Sequence, residues 1–88
     1  MRYPIAIEMG SDGIVVPDLP GCFSAGDTLD EAIANAEEAI AVWIDAARNG
    51  GEPIPTPSSL EAIRDDSRFG GWSFDVVSVG DKVGSNTN

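Results

Sequence analysis

The chain has 88 residues, of which 42% are hydrophobic, so it can bury one core but is too short for two average domains. It contains no histidine and a single cysteine, which excludes an internal disulfide and removes the commonest general base and metal ligand. Fifteen acidic residues against five basic ones give a net charge of −10, which repels a nucleic-acid backbone and suits either a basic partner or simple solubility.

The first 25 residues predict three short strands. Apolar and other side chains alternate over residues 3–9, which is the period of a strand with one buried face. The turn residues 10–13 and the β-branched run 14–16 then predict an antiparallel hairpin. A second turn at residues 18–21, rich in proline and glycine, leads into a brief third strand over residues 22–25.

One long helix is predicted next. Thr28 and Glu31 have the spacing of a capping box, which marks a helix start, and residues 49–51 (Asn-Gly-Gly) tolerate the left-handed backbone that ends one. Apolar residues between these signals recur at steps of three and four, so they form one stripe that packs on the sheet. The stripe consists of Leu29, Ala32, Ile33, Ala36, Ile40, Trp43, Ile44 and Ala47.

The last third of the chain predicts a strap, a short helix and a final strand. Proline at every second position makes residues 52–57 an extended strap. Ser58 and Glu61 form a second candidate capping box, which would start a short helix at residues 60–63. Alternation over residues 72–76 predicts a strand with an aromatic inner face.

These features together carry a family resemblance. They are Tyr3, the turn 16–22 with Ser24, the helix entry 26–28, Glu31-Ala32, Asn35-Ala36, Ala39-Ile40, Trp43-Ile44 and the strap residues Ile54, Pro55, Pro57 and Ser58. No single piece is specific, but the combination, which covers residues 2–74, resembles the HicB-like antitoxin family.

The resemblance implies a fold and a partner. The implied fold is α+β, a β-β-β-α-β arrangement likened to a partial ribonuclease H fold, with a mainly antiparallel sheet and one long helix on one face. The implied function is that of a non-enzymatic, cofactor-free antitoxin, which binds a small basic mRNA-cleaving toxin of the HicA type and assembles as a dimer or larger oligomer. The negative charge supports a basic partner independently.

Seven residues are candidates for contact with that partner. Loops on a rigid scaffold often carry recognition, so the turn 18–21 is one candidate, although the same residues also suit a purely structural turn. Three acidic residues of the helix lie off its apolar stripe and could face either a basic surface or water. The candidates are Asp18, Leu19, Pro20, Gly21, Glu37, Glu38 and Asp45. Cys22, Trp43 and Trp72 are expected to pack in the core, and no catalytic, cofactor or metal residue is predicted.

Two other functions stay open at this point. The same fold could serve as an acidic, oligomerising adaptor that has no toxin partner. A metal-dependent nuclease would need carboxylates that converge on the sheet, and Glu8, Asp12, Asp18 and Asp75 are the candidates. Fold analogy alone is weak support for such chemistry.

The remaining expectations concern organisation and location. We expect one antitoxin domain over residues 1–79 and a flexible tail over residues 80–88, because the tail is rich in Gly, Ser and Asn. Family members commonly carry a DNA-binding segment after the last strand. The nine residues after Val79 contain one lysine and cannot build such a segment, so direct DNA binding is not predicted for this chain. With neither an apolar run of membrane length nor a signal-peptide pattern, we expect a cytoplasmic protein without membrane contact.

Overall fold

The computed structural model describes residues 1–79, so the prediction of a flexible tail over residues 80–88 lies outside the described residues. Strands and helices follow one another in the predicted order, and the α+β class with one long helix is confirmed. The elements are β1 (Arg2–Ile7), β2 (Ile14–Val15), β3 (Phe23–Ser24), α1 (Leu29–Asn49), α2 (Leu60–Arg64), a 3₁₀ turn (Ser67–Phe69) and β4 (Ser73–Ser78).

Four antiparallel strands form the sheet in the order β3-β2-β1-β4. The first residue and Val79 exchange both backbone hydrogen bonds, at 2.9 and 2.7 Å. Because hydrogen-bonded and non-hydrogen-bonded pairs alternate along an antiparallel ladder, Pro4 turns its nitrogen away from β4. The nitrogen of Pro4 therefore faces the β2 side of β1, where β2 pairs only with Ala6 and Ile7 and does not reach Pro4. For this reason Pro4 removes no hydrogen bond from the ladder, although β1 is an inner strand.

The helix α1 covers one face of the sheet. Tyr3, Ile5 and Ile7 alternate along β1 and join one buried cluster with the helix residues Ala32, Ala36, Ile40 and Ile44. The predicted cap is confirmed: Thr28 Oγ1 accepts a hydrogen bond from the Glu31 amide at 3.1 Å. The apolar stripe is wrong at its first position, because Leu29 is 41% exposed. The first helical turn projects beyond the buried contact, which begins at Ala32.

The opposite face of the sheet carries a second, smaller cluster. Ala6, Ile63 and Phe69 are buried there, and Val15, Trp72 and Phe74 pack against them half-buried. The aromatic side of the final strand therefore faces α2 and the 3₁₀ turn rather than α1, a layer that the sequence pattern did not predict. Of β4, Val77 is the residue buried with the α1 cluster.

The predicted cap of the short helix is also corrected. Ser59, not Ser58, is the N-cap of α2, since its Oγ accepts from the Ala62 amide at 3.1 Å. Ser58 is engaged elsewhere, because both its amide and its hydroxyl donate to Asp18. Within residues 1–79, no helix has the length and apolar character needed to cross a membrane.

Candidate functional site

The turn at residues 18–21 is half structural and half exposed. Asp18 accepts hydrogen bonds from the Ser58 amide at 2.8 Å and from its hydroxyl at 2.6 Å, which fixes the proline strap to the turn. Leu19 is 0% exposed and belongs to the core. Pro20 and Gly21 are exposed, and Gly21 has a φ of +78°, which favours glycine. Only the second half of the turn therefore offers surface to a partner.

A tryptophan ties this turn to the long helix. The indole Nε1 of Trp43 donates a hydrogen bond to the carbonyl oxygen of Pro20 at 3.0 Å. The ring itself is half-buried and packs against the main core cluster, as the sequence predicts. The indole can pack its apolar ring in the core while its N–H donates a hydrogen bond. Trp43 therefore fixes the position of the Pro20–Gly21 backbone relative to α1.

Two further side chains hold β3 beside the helix. Ser24 Oγ donates to the Ala32 carbonyl oxygen at 2.9 Å, and Asn35 Nδ2 donates to the Ala25 carbonyl oxygen at 2.8 Å. Both bonds join the β3 segment to the first half of α1. The outermost strand on this side of the sheet is therefore held in place by side chains of the chain itself and not only by its ladder with β2.

An open groove runs between β3 and α1, with a volume of about 500 Å³. Its floor is mostly apolar, and two of its residues are unusually accessible for their type: Val42 is 64% exposed and Phe23 is 70% exposed. The residues that line it, called the β3 groove below, are Gly21, Cys22, Phe23, Ser24, Ala25, Asn35, Glu38, Ala39, Val42 and Trp43. Exposed apolar residues that cluster beside a concave surface mark an interaction site more often than scattered ones do.

The charged residue that lines the β3 groove is acidic. Glu38 lies one helical turn before Val42 and lines the groove, whereas no arginine or lysine of residues 1–79 does. Asp45 follows Glu38 by seven residues, so it lies on nearly the same side of α1. Glu37 is displaced from Glu38 by about 100° around the helix and is directed to the other flank. The local charge beside the groove is therefore negative, like that of the whole chain.

Among residues 1–79, Arg68 and Asp66 form an ion pair away from the β3 groove. Arg68 Nη2 is 2.7 Å from Asp66 Oδ2 on the 3₁₀ turn, which covers the opposite face of the sheet. The hydrogen bonds from Arg68 hold the pKa of Asp66 below its ordinary value. This pair caps the 3₁₀ turn and does not neutralise the acidic side chains near the β3 groove.

The cysteine in the groove wall does not offer a reactive thiolate. Cys22 is buried, and burial raises the pKa of its thiol above the ordinary value, which favours the neutral form. The prediction that it packs as a small core residue is confirmed. The chemistry of this surface is accordingly that of shape, apolar contact and charge.

The nuclease alternative finds no geometric support in residues 1–79. Glu8 accepts from the Ser11 hydroxyl in the β1–β2 turn, and Asp75 accepts from the Val76 amide on β4. Asp18 holds the strap as described above. Across the described range no three acidic, cysteine or histidine side chains come close enough together to hold a metal ion.

The structure thus brings together some of the predicted contact residues and adds others. Gly21 and Glu38 line the β3 groove, and Pro20 adjoins it through Trp43. Phe23 and Val42 also line the groove and were not among the predicted contact residues. Val42 had a sequence signal, because it is an apolar residue that lies off the predicted apolar stripe of the helix. Four predicted contact residues do not line the groove: Asp18, Leu19, Glu37 and Asp45.

Comparison with known families and proteins adds an independent finding. A family model described as the HicB-like antitoxin of bacterial toxin-antitoxin systems matches residues 3–87. A 14.9 kDa protein from the rep-hol intergenic region of Haemophilus phage HP1 is 44% identical over 81 residues. The matched region spans 90% of this chain but 61% of the phage protein, so this chain corresponds to part of that relative's length.

Two solved structures share the fold at appreciable identity. The N-terminal domain of antitoxin HicB from Burkholderia pseudomallei superposes with a TM-score of 0.80 and is 36% identical, with 91% of this chain and 99% of that domain covered. A chain of the HicA3 and HicB3 toxin-antitoxin complex superposes with a TM-score of 0.78 and is 38% identical, with the same coverage of 91% and 99%.

Proposed function

The chain belongs to the HicB-like antitoxin family, and from that premise we propose that it binds a HicA-type toxin and neutralises it by covering the surface with which the toxin engages RNA. The observation that carries the proposal is the β3 groove, an exposed apolar surface with an acidic rim on this family's scaffold. Its binding partner would be a small protein with a basic surface, and inhibition would require contact but no chemical step.

Apolar contact would supply most of the affinity. A few large side chains near the centre of an interface usually dominate its binding free energy, and they lie in pockets from which water is excluded. Phe23 and Val42 are the accessible apolar side chains beside the groove, and Trp43 forms part of its wall. A partner side chain that enters the groove would cover Val42 and Trp43, and the Phe23 ring, on the other face of β3, would contact a neighbouring residue of the partner.

Charge would supply speed and selectivity. A chain with a net charge of −10 attracts a basic protein over distances up to the screening length, about 8 Å at physiological salt. Complementary charges raise the association rate more than they raise the affinity. An RNA-binding surface is basic by necessity, so the same field that attracts the toxin directs this chain toward the surface that must be blocked.

The predicted contact residues divide into two roles under this proposal. Pro20, Gly21, Glu38 and Asp45 are proposed to face the toxin. Asp18 and Leu19 would act indirectly, because the first holds the strap and the second anchors the turn in the core. We also propose that the chain works in the cytoplasm without a cofactor, and that any dimer or larger assembly forms through surfaces other than the β3 groove.

The test is inhibition of RNA cleavage. The reading frames next to this chain's gene are searched for a small basic HicA-type protein. That protein is purified, and its cleavage of an mRNA is followed while the full chain is added. We expect cleavage to stop near one chain per toxin, and we expect the chain alone to cleave nothing with or without a chelator. Undiminished cleavage at molar excess of the chain would contradict the proposal and favour the adaptor, as would a gene neighbourhood without a small basic reading frame.

A further inference from the structure

The free edge of β3 has its backbone groups directed outward. The Val16 amide donates to the Cys22 carbonyl oxygen at 3.0 Å, and Val15 pairs with Phe23 one step further along the ladder. Because bonded and non-bonded pairs alternate in antiparallel ladders, the N–H and C=O of Phe23 point away from β2. Among residues 1–79 neither group has a hydrogen-bond partner, and no described strand lies beyond β3.

Recognition surfaces flank this edge on both faces of the sheet. Val15 packs into the cluster on the face opposite α1, so its ladder partner Phe23 directs its ring to that same face. The β3 groove opens on the α1 face, with Ala39 and Val42 in its lining. A strand laid along β3 would therefore place alternate side chains in the groove and against the Phe23 ring.

On the other outer strand, β4, the chain itself occupies the central outward amide. By the same alternation the outward backbone groups of β4 belong to Phe74, Val76 and Ser78. The Val76 amide, at the centre of this edge, is already bonded to the Asp75 carboxylate at 2.7 Å. Charged side chains placed on an edge in this way oppose pairing with another chain. Of the two edges, β3 is the one prepared to receive a strand.

We propose that the partner binds by strand addition: an extended segment of the basic partner pairs with Phe23 at the β3 edge and inserts a side chain into the β3 groove. The proposal rests on the proposed function for the identity of the partner. In this mode, main-chain hydrogen bonds contribute affinity and the pockets for alternate side chains contribute specificity.

Charge selects a basic partner over a second copy of this chain. Two copies paired through β3 would bring together two chains that each carry a charge of −10, with Glu38 beside both grooves. Like charges placed face to face suppress an association, whereas an extended segment that carries lysine or arginine gains from the same field. The occupant is therefore a strand of a basic protein.

The test separates the Phe23 amide from the Phe23 ring. Phe23→Ala removes the ring and keeps the N–H, whereas Phe23→Pro removes both; Ser78→Pro removes an outward N–H from the β4 edge and is the matched control. Affinity for the HicA-type toxin is measured by titration calorimetry. Circular dichroism and thermal unfolding first establish that each variant keeps the fold.

We expect Phe23→Pro to bind about tenfold more weakly than Phe23→Ala, because the partner's carbonyl loses its donor in a desolvated contact. Ser78→Pro should bind like the unmodified chain. Equal affinities of the two Phe23 variants, or equal losses at both edges, would overturn strand addition while leaving the antitoxin role intact. Failure of the unmodified chain to bind the toxin would instead overturn the proposed function.

Discussion

The two outer strands of this sheet differ in what surrounds them. β4 is six residues long, yet its central outward amide is occupied by Asp75 and its ends are serines. β3 is only two residues long, but its Phe23 backbone has no hydrogen-bond partner among residues 1–79 and an apolar groove adjoins one face. Three side-chain hydrogen bonds also fix the segment around β3 to α1. The length of an edge strand alone therefore does not make it a binding site. A short edge becomes one when pockets adjoin it and the chain holds it in place.

The largest effect is expected at Val42, which lines the β3 groove. Val42→Lys places a positive charge where we propose that a basic partner docks, and should weaken toxin binding about 100-fold, since a like charge must then be desolvated in the contact. Met9→Lys is the matched control, because Met9 is 65% exposed against 64% for Val42 and lies in the β1–β2 turn. Similar losses in both variants would show that charge alone, not the groove, governs affinity.

Trp43 and Trp72 distinguish the two sides of the sheet in a different way. Each is half-buried, but Trp43 holds the Pro20 turn beside the groove, whereas Trp72 packs edge-on against Phe69 on the opposite face. Truncation of either to Ala should lower the free energy of unfolding by about 2 to 3 kcal/mol, less than for a fully buried ring. Only Trp43→Ala should also weaken toxin binding when both are compared below their unfolding temperatures. Equal toxin affinities of Trp43→Ala and Trp72→Ala would show that the position of the Pro20 turn does not matter for binding.

The neighbouring pair Glu37 and Glu38 tests the acidic rim. Glu38→Lys and Glu37→Lys change the net charge equally, but only Glu38 lines the β3 groove. We expect Glu38→Lys to slow association with the toxin about five- to tenfold at low salt, and Glu37→Lys to slow it about twofold. The difference between the association rates of the two variants should decrease as ionic strength rises, because exposed charges are screened. Stopped-flow measurements at two salt concentrations provide the comparison.

Tyr3 lies in β1, between the two outer strands, so its substitution should affect the stability of the fold and not binding at either edge. Its hydroxyl donates to the Pro55 carbonyl oxygen at 2.7 Å, and Tyr3→Phe should lower the free energy of unfolding by about 1 kcal/mol at neutral pH. Burial, and secondly the Asp18 charge, raise the pKa of the phenol above its ordinary 10.0.

The raised pKa of Tyr3 predicts a dependence on pH. A group with a higher pKa in the folded state stabilises the fold below its unfolded pKa and loses that contribution as the pH rises through the folded pKa. The unmodified chain should therefore lose stability above pH 10.0, the ordinary value of the phenol, and Tyr3→Phe should lack this part of the loss. Urea unfolding below and above pH 10.0 measures the free energy of unfolding of both proteins. The same dependence of this free energy on pH in the unmodified chain and in Tyr3→Phe would contradict the burial of the hydroxyl.

The smallest effect is expected at the β4 edge. Asp75→Ala frees the Val76 amide and removes a charge, so weak self-association through β4 should increase by a few-fold at high protein concentration. Ser73→Ala, on the same strand and face, is the control. Sedimentation equilibrium would detect the change, and an unchanged monomer fraction would show that Asp75 does not guard this edge.

Local signals predicted the elements well, because they depend on neighbours in sequence. Thr28 and Glu31 marked the start of α1, and three- and four-residue spacing identified Ile40 and Ile44 as buried. The cap of α2 was displaced by one residue because Ser58 bonds to Asp18, a contact across 40 positions of sequence separation that no local pattern contains.

The site was harder to predict, because it is formed by segments distant in sequence. Val42 lies off the apolar stripe and Phe23 lies on a strand of two residues, so each suggests only an exposed side chain until β3 and α1 are placed together. The second cluster, around Phe69, required the chain after the strap to return beneath the sheet. Periodicity indicates that an element has a buried face, but not which layer covers it.

Amide hydrogen exchange, measured for the free chain and for its complex with the HicA-type toxin, would show which edge of the sheet the partner occupies. The Phe23 amide points outward and has no partner among residues 1–79. If the toxin binds at the β3 edge, the exchange rate of this amide should fall by about 100-fold or more in the complex. The outward Ser78 amide on β4 should exchange at nearly the same rate in both states. Protection of Ser78 and Phe74 with an unchanged Phe23 would place the partner on the opposite edge and contradict the account.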